Sequence, residues 1–333
     1  MTEPATILVT GGAGFIGSHA CKALSAAGYR PVSIDNLSTG HADAVKWGPL
    51  YEVDLRDRDG LAAVFRAERP AAVMHFAASA YVGESVADPA FYFDNNVIGI
   101  LRLLDACREA DVGRIVFSSS CAIYGQPSDM PIGEDTPQAP INPYGRTKLI
   151  CEQILRDFGH AYGLRSACLR YFNAAGADAE GELSERHDLE THLLPLALMA
   201  ASGRRPPLQV FGTDYPTPDG TCIRDYIHVT DLANAHVAAL KYLQSGGESV
   251  ALNLGSGRGY SILEIAGEIH RVFGRELPWH AAARRPGDPP VLVADTRRAL
   301  EIIGFRAMHS DMATILRDAG PTFGLTARSD AIA

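Results

Sequence analysis

No apolar run in this 333-residue sequence approaches the roughly 20 residues that a membrane-spanning helix needs. Its opening, MTEPATILVT, has neither the basic start nor the apolar stretch of a secretory leader. A membrane-embedded or exported protein is therefore not expected, and the reading is cytosolic. Basic tracts are also missing. Thirty Lys and Arg stand against 39 Asp and Glu, a net charge of −9, which argues against a nucleic-acid partner. Cysteine is sparse: Cys21, Cys107, Cys121, Cys151, Cys168 and Cys222 show no Cys-x-x-Cys or metal-ligand spacing. They read as reduced core residues rather than a disulfide framework. The eleven histidines form no convincing cluster; His187 and His192 lie five apart with no third ligand evident nearby, so no metal site is expected. Internal repeats are lacking, and so are low-complexity segments beyond a short C-terminal tail expected to fray.

What is present is a composition of 47% hydrophobic and 21% charged residues, that of an ordinary soluble globular chain. Ala5 to Thr10 (ATILVT) reads as a strand, and it runs directly into Gly11-Gly12-Ala13-Gly14-Phe15-Ile16-Gly17 and then a helical pattern closed by Gly28. Glycines 11, 12 and 14 permit a tight turn with close backbone approach, and Gly17 lets the helix pack on the sheet. A pyrophosphate can then rest at the helix N-terminus. A second β run, RPVSID, ends at Asp35, where a carboxylate accepts hydrogen bonds from the adenosine ribose. That carboxylate would repel the extra phosphate of NADP, and Asn36 supplies no cation to offset it. NAD is therefore the expected cofactor.

The alternation continues through LYEVDL, a helix in RDGLAAVFRAE, AAVMHFAAS, a long helix around FDNNVIGILRLLDACREA, RIVFSSS and RSACLRYFN. Repeating βα units specify an α/β fold of the Rossmann type, a doubly wound parallel sheet covered on both faces. Ligands in such sheets bind beyond the carboxyl ends of the strands, which gathers Gly11, Asp35, Asp54, Ala77, Ser118, Ser120 and Asn173 around one crevice. Residues 1–175 are expected to form this domain and 176–333 a smaller α/β lobe, with the segment at about 225–260 able to return to the large sheet. In that segment IHVTDLANAHVAALKYLQ reads as an amphipathic helix capped at Thr230, and SVALNLGSG as a buried strand.

Tyr144 and Lys148 stand four apart in a helix that Asn142 caps and Pro143 opens, so both side chains share one face. An ammonium beside a phenol favours the phenolate and makes Tyr144 a candidate general base.

Taken together, the glycine loop, Asp35-Asn-Leu, Val82-Gly-Glu-Ser85, Asp94-Asn-Asn96, Phe117-Ser-Ser-Ser120 and Tyr144-x-x-x-Lys148 resemble, in order, the extended short-chain dehydrogenases. Arg170-Tyr-Phe-Asn173, Phe211-Gly-Thr-Asp-Tyr-Pro216, Arg224-Asp-Tyr-Ile-His-Val229 and Arg284-Arg-Pro-Gly-Asp288 narrow the resemblance to the UDP-glucose 4-epimerase group, over nearly the whole chain. The resemblance implies that Tyr144 takes the proton of the sugar 4-hydroxyl as hydride leaves C4, that Ser120 bonds the same oxygen, and that Lys148 binds the nicotinamide ribose and lowers the Tyr144 pKa. The 4-keto sugar then turns and takes the hydride back on its other face, with NAD bound throughout.

The resemblance further implies cofactor contacts from Gly11, Gly14, Phe15, Ile16, Asp35, Asn36, Asp54, Leu55, Phe76, Ala77, Asn95, Ser118, Tyr144, Lys148 and Tyr171. For the substrate it implies Ser120, Tyr144, Phe172, Asn173, Leu193, Phe211 on the uracil, Arg224 and Arg285 on the diphosphate, Tyr226, Asp288 on the uridine ribose, and Leu292. A homodimer through a four-helix bundle of the helices after Asn96 and Tyr144 is implied as well. Three departures stand out: Ala80 replaces a Lys that touches a cofactor phosphate, His192 an Asn on the substrate, and Leu292 a Tyr that often closes the sugar pocket. The last two leave UDP-N-acetylhexosamines and UDP-pentoses open as substrates. Nucleotide-sugar dehydratases and decarboxylases need acid/base carboxylates where this chain has Cys121 and Ala122, which disfavours elimination. A non-catalytic NAD sensor on the same fold would have no need of Ser120, Tyr144 and Lys148 together.

Overall fold

The computed structural model describes residues 3–285 and 287–328. Pro286 and the last five residues of the expected fraying tail lie outside the described residues. The first half alternates as its periodicity requires: β1 (Thr6–Thr10), α1 (Phe15–Ala26), β2 (Arg30–Asp35), β3 (Leu50–Glu52), α2 (Arg58–Glu68), β4 (Ala72–His75), α3 (Val82–Ala87) and α4 (Pro89–Tyr92). Then follow α5 (Gly99–Glu109), β5 (Arg114–Ser120), α6 (Pro143–Tyr162), β6 (Arg165–Tyr171) and β7 (Asn173–Ala175). The second half supplies α7 (Leu193–Ala201), β8 (Leu208–Phe211), β9 (Ile223–His228), α8 (Val229–Gln244), β10 (Val250–Leu254), β11 (Gly259–Ser261) and α9 (Ile262–Phe273). It ends with β12 (Trp279–Ala282), β13 (Val291–Leu292), α10 (Arg297–Ile303) and α11 (Met312–Ala319).

Seven parallel strands in the order β10-β6-β5-β4-β1-β2-β3 make the large sheet, the Rossmann-type arrangement, with the chain reversing direction between β1 and β4. The strands are buried on both faces, which is why ILV in β1 and IVF in β5 read as unbroken apolar runs. β10 extends the sheet from far along the chain, with Val250 opposite Ala167 and Leu254 opposite Tyr171. The helix before it, α8, packs on α1, β5 and β6. Its cap differs from expectation: His228 is the N-cap, its Nδ1 accepting from the Thr230 N–H at 3.1 Å. α8 is also buried along most of its length, because it is covered on more than one side rather than lying on the surface. Lying beyond 225–260, α10 packs on α8 and β10, and Ala299 joins the core of the large sheet.

Two local departures concern the site. The strand expected over LYEVDL is only Leu50–Glu52, since Asp54 turns back to bond its own neighbours. The helix expected over 93–110 opens with a π-turn at Phe93–Ile98. This widening places Asn95 and Asn96 toward the loop after β4, where the Asn96 amide accepts from the Ser79 N–H at 2.8 Å and donates to Thr147 of α6 at 3.1 Å.

The smaller lobe has its own core, built from α7, α9, α11 and parts of β8, β9 and β11, with Leu198, Val210, Ile269 and Ile315 fully buried. β13 lies beside β9 in parallel, with Leu292 opposite Arg224. All six cysteines are free thiols, five of them buried. Burial pushes Cys21 up to about 11 and Cys107 and Cys151 up to about 12, so these thiols stay protonated.

Candidate active site

The turn after β1 is a cradle that side chains would fill. Gly11 has φ +71, and a Cβ there would sit 2.7 Å from the Ala77 nitrogen; one on Gly17 would sit 2.0 Å from the Gly11 carbonyl oxygen. Gly14 caps α1 with no side chain, leaving the helix N-terminus open to an anion. Phe15 and Ile16 begin the helix. Asp35 ends β2 beside this turn; its carboxylate accepts from the Ala13 N–H at 3.0 Å and the Leu37 N–H at 2.9 Å, while burial pushes its pKa up. Among the described residues no cation reaches Asp35, so a ribose diol suits this position and a phosphate does not. Next to it the Asn36 amide donates to Asp54 at 2.9 Å, and Arg56 bridges Asp54 and Asp94, holding the Asp54 carboxyl well below its usual range. Leu55 is buried, the Phe76 ring lies 4.6 Å from His236, and the Asn95 amide donates to the Ser79 hydroxyl at 3.1 Å. The glycine cradle, Asp35 and the strand-end residues fit a dinucleotide.

Beyond the cradle, β5 ends in Ser118, Ser119 and Ser120, and α6 runs past them. Asn142 caps α6 by accepting from the Gly145 N–H at 2.8 Å with Pro143 in the first turn, which sets Tyr144 and Lys148 on the face toward β5. Lys148 is buried, donates to the Ser118 carbonyl at 2.8 Å and stands 5.8 Å from the centre of the Tyr144 ring. The Ser118 hydroxyl hydrogen-bonds Tyr171, the last residue of β6.

The electrostatics correct the expectation of an already acidic phenol. Burial pushes Tyr144 up to about 12, with Ser120 pulling in the opposite direction, and burial pulls Lys148 down to about 8. The ammonium stands 5.8 Å from the ring centre and donates to a carbonyl, and burial of the phenol outweighs the acidity that the i, i+4 spacing implies.

The residues expected to hold the substrate fall into several separate contacts. Phe172 and Leu292 pack together with Cys121 in one small cluster just beyond Ser120. Asn173 donates to the Asp225 carbonyl at 2.7 Å, and Leu193 opens α7 against the smaller core. Arg285 stacks over Phe211, with its guanidinium 4.1 Å from the ring centre, so one face of Phe211 is already covered. Arg224 and Asp288 form an ion pair with each other, and Arg224 also donates to the Pro289 carbonyl at 2.8 Å. Tyr226 is packed into the core of the smaller lobe.

Two buried networks were not picked out from sequence. Arg170 makes a two-pronged ion pair with Glu152, at 2.9 and 2.6 Å, with both side chains only 3% exposed. Glu152 also accepts from Ser119 at 2.6 Å, and Arg170 donates to Tyr124 at 2.9 Å. The signal was there: Glu152 follows Lys148 by four and so shares its face. Asp225 accepts from the N–H groups of Ser256, Gly257 and Ala294 at 2.8, 3.0 and 3.1 Å, which ties β9 to the loop after β10 and to the segment that follows Leu292. The statement that His187 and His192 lack a third ligand also needs correcting, since Glu185 and Glu190 converge on them.

The description of the NAD dependent epimerase/dehydratase family fits residues 7–255. A UDP-glucose 4-epimerase of Rhizobium meliloti (strain 1021) is 56% identical over 313 residues, covering 94% of this chain and 95% of that protein. The crystal structure of UDP-glucose 4-epimerase from Brucella ovis in complex with NAD superposes with a TM-score of 0.96 at 59% identity, covering 97% of this chain and 100% of that one. The UDP-Glc/GlcNAc 4-epimerase from the human pathogen Campylobacter jejuni superposes with a TM-score of 0.84 at 39% identity, covering 96% and 99%. With a matching fold, a dinucleotide cradle and relatives this similar along nearly its whole length, the chain belongs to the NAD dependent epimerase/dehydratase family.

Proposed function

We propose that this chain interconverts UDP-glucose and UDP-galactose by transient oxidation at sugar C4, with Tyr144 moving the proton and Ser120 and Lys148 supporting it. Bound NAD supplies the hydride acceptor and returns the same hydride. Tyr144 takes the proton from the 4-hydroxyl and, once the 4-keto ring has turned, returns it to the same C4 oxygen. Ser120, placed at the carboxyl end of β5, holds the sugar oxygen on line with the phenol. Lys148 reaches the nicotinamide ribose from the next turn of α6. The observation that carries this reading is the convergence of Ser120, Tyr144 and Lys148 at the carboxyl end of β5, two strands along the sheet from β1 and its glycine cradle. On substrate binding Arg224 exchanges Asp288 for the diphosphate, while Asp288 turns to the uridine ribose.

Because the hydride is returned, turnover consumes no NAD. Protein purified without added cofactor is expected to convert UDP-galactose to UDP-glucose, and heat extraction followed by mass analysis is expected to release NAD rather than NADP. Strict dependence on added cofactor would overturn the cycle, and recovery of mainly NADP would overturn the role of Asp35.

A wider sugar range follows from Leu292, which packs against the same small cluster as Phe172 and Cys121 and carries no phenol ring. The expected result is measurable turnover of UDP-GlcNAc or UDP-GalNAc, lost selectively in Leu292→Tyr, with discrimination of about 10- to 200-fold. Equal losses on both sugar pairs, or no acetamido turnover in the parent protein, would refute it.

Self-association uses α5 and α6, which pack side by side, with Ile98 exposed just before α5 and Tyr162 exposed at the end of α6. Sedimentation as a monomer would count against this. No helix among the described residues is long and apolar enough to cross a membrane.

A further inference from the structure

We propose that Glu185, His187, Glu190 and His192 form a four-ligand divalent-cation site suited to zinc, built into the irregular segment between β7 and α7. Beyond the proposed reaction, this site has its own chemistry. The segment spells Glu-x-His twice, and in extended chain residues two apart point to the same side, so each pair presents a carboxylate and an imidazole together. The fold then brings the two pairs face to face. His192 Nδ1 lies 2.9 Å from Glu190 Oε1 and 3.1 Å from Glu185 Oε1; His187 Nδ1 lies 3.3 Å from Glu190 Oε2 and 3.4 Å from Glu185 Oε1. One donor atom from each of the four residues falls within 4.8 Å of all the others.

The four His–Glu edges, 2.9–3.4 Å with Glu190 counted through both its oxygens, come close to those of a tetrahedron around zinc, and the remaining two lie within 4.8 Å. Bonds of about 2.0–2.2 Å from zinc to nitrogen or oxygen place neighbouring ligand atoms roughly 3.3–3.5 Å apart. The donors are the imidazole and carboxylate types that zinc accepts, and two carboxylates balance its charge. Glu185 and Glu190 are buried, an environment in which a carboxylate needs a compensating cation. His192 is half-exposed and offers the way in. The outer shell is also present: Glu190 Oε1 is held by the N–H groups of Thr191 and His192 at 2.8 and 2.7 Å, and Tyr81 packs against both imidazoles at 6.0 and 6.2 Å between ring centres. The competing occupant is a proton, with an imidazolium bridging the two carboxylates.

A bound ion would clamp the loop directly before Leu193, at the foot of α7. Its function is therefore to fix one wall of the smaller lobe, and coordination is closed, with no open position for chemistry.

The test uses full-length protein stripped with a chelator and titrated near neutral pH with zinc chloride by calorimetry. The expected result is one zinc per chain, and cobalt(II) in its place should give the intense visible absorption of a tetrahedral centre. His187→Ala and Glu190→Gln should each weaken zinc binding by more than about 100-fold, past the 10- to 100-fold loss typical of an outer-shell partner. No stoichiometric zinc binding, binding of unchanged affinity in both variants, or a weak octahedral cobalt spectrum would each overturn the proposal. Should either variant misfold, the zinc count and cobalt spectrum of the parent protein still decide. Epimerase assays on the same samples report separately on the assigned reaction: inactive protein that binds zinc counts against that reaction and leaves the metal site standing.

Discussion

Tyr144→Phe is expected to lower kcat by about 10²- to 10⁴-fold, the range for losing a positioned general acid/base, while NAD stays bound. The phenyl ring keeps the packing of the first turn of α6, and the cradle formed by Gly11, Gly14 and Asp35 does not involve the phenol. Bound nucleotide and single-turnover rates measured on the same preparation separate the two effects. A variant with wild-type kcat would remove Tyr144 from the mechanism, and one that loses its NAD would make the tyrosine a cofactor anchor instead. The phenol sits at about 12 against the pull of Ser120, which works to lower it. Ser120→Ala should therefore shift the rising limb of the pH–rate profile to higher pH; a shift to lower pH would mean that another group sets the phenol's acidity.

Arg170→Met carries the largest expected effect on stability. It leaves Glu152 as an unpaired charge between α6 and the ends of β5 and β6, and breaking a buried pair by removing one partner costs about 3–5 kcal/mol. Urea unfolding of the NAD-loaded protein measures it. A double variant, Glu152→Leu with Arg170→Met, should recover much of the loss, since the desolvation of both charges disappears together. A loss below about 1 kcal/mol in the single variant would mean that water or a local shift replaces the arginine. Ser119 donates to the same carboxylate and lies next to Ser120, so kcat is expected to fall further in the double variant, which removes that acceptor, even as stability recovers.

The legible parts of this protein are those whose chemistry is local in the chain. The glycine loop declares itself within seven residues, because a turn that brings backbone within reach of a phosphate admits no side chain. Asp35 is fixed by where β2 ends, and the Tyr144 and Lys148 face by a cap, a proline and a helical repeat. The smaller lobe was legible only through motifs shared with relatives, since its strands are two to six residues long and carry weak periodicity.

Sequence by itself therefore determined the parallel α/β class and the dinucleotide turn, and it set Asp35 at a strand end and Tyr144 and Lys148 on one helix face, where the proposed ribose contact and proton transfer rest. Tertiary structure decided what distant segments do to one another. It seats β10 beside β6, pairs Arg224 with Asp288, lays Arg285 on Phe211, turns Lys148 toward the Ser118 carbonyl, and buries the Tyr144 phenol so that it stays neutral. It also folds an irregular segment until two Glu-x-His pairs meet. Periodicity records which face a residue occupies, but burial and charge pairing depend on which other face is packed against it, and that choice is made only when the whole chain closes.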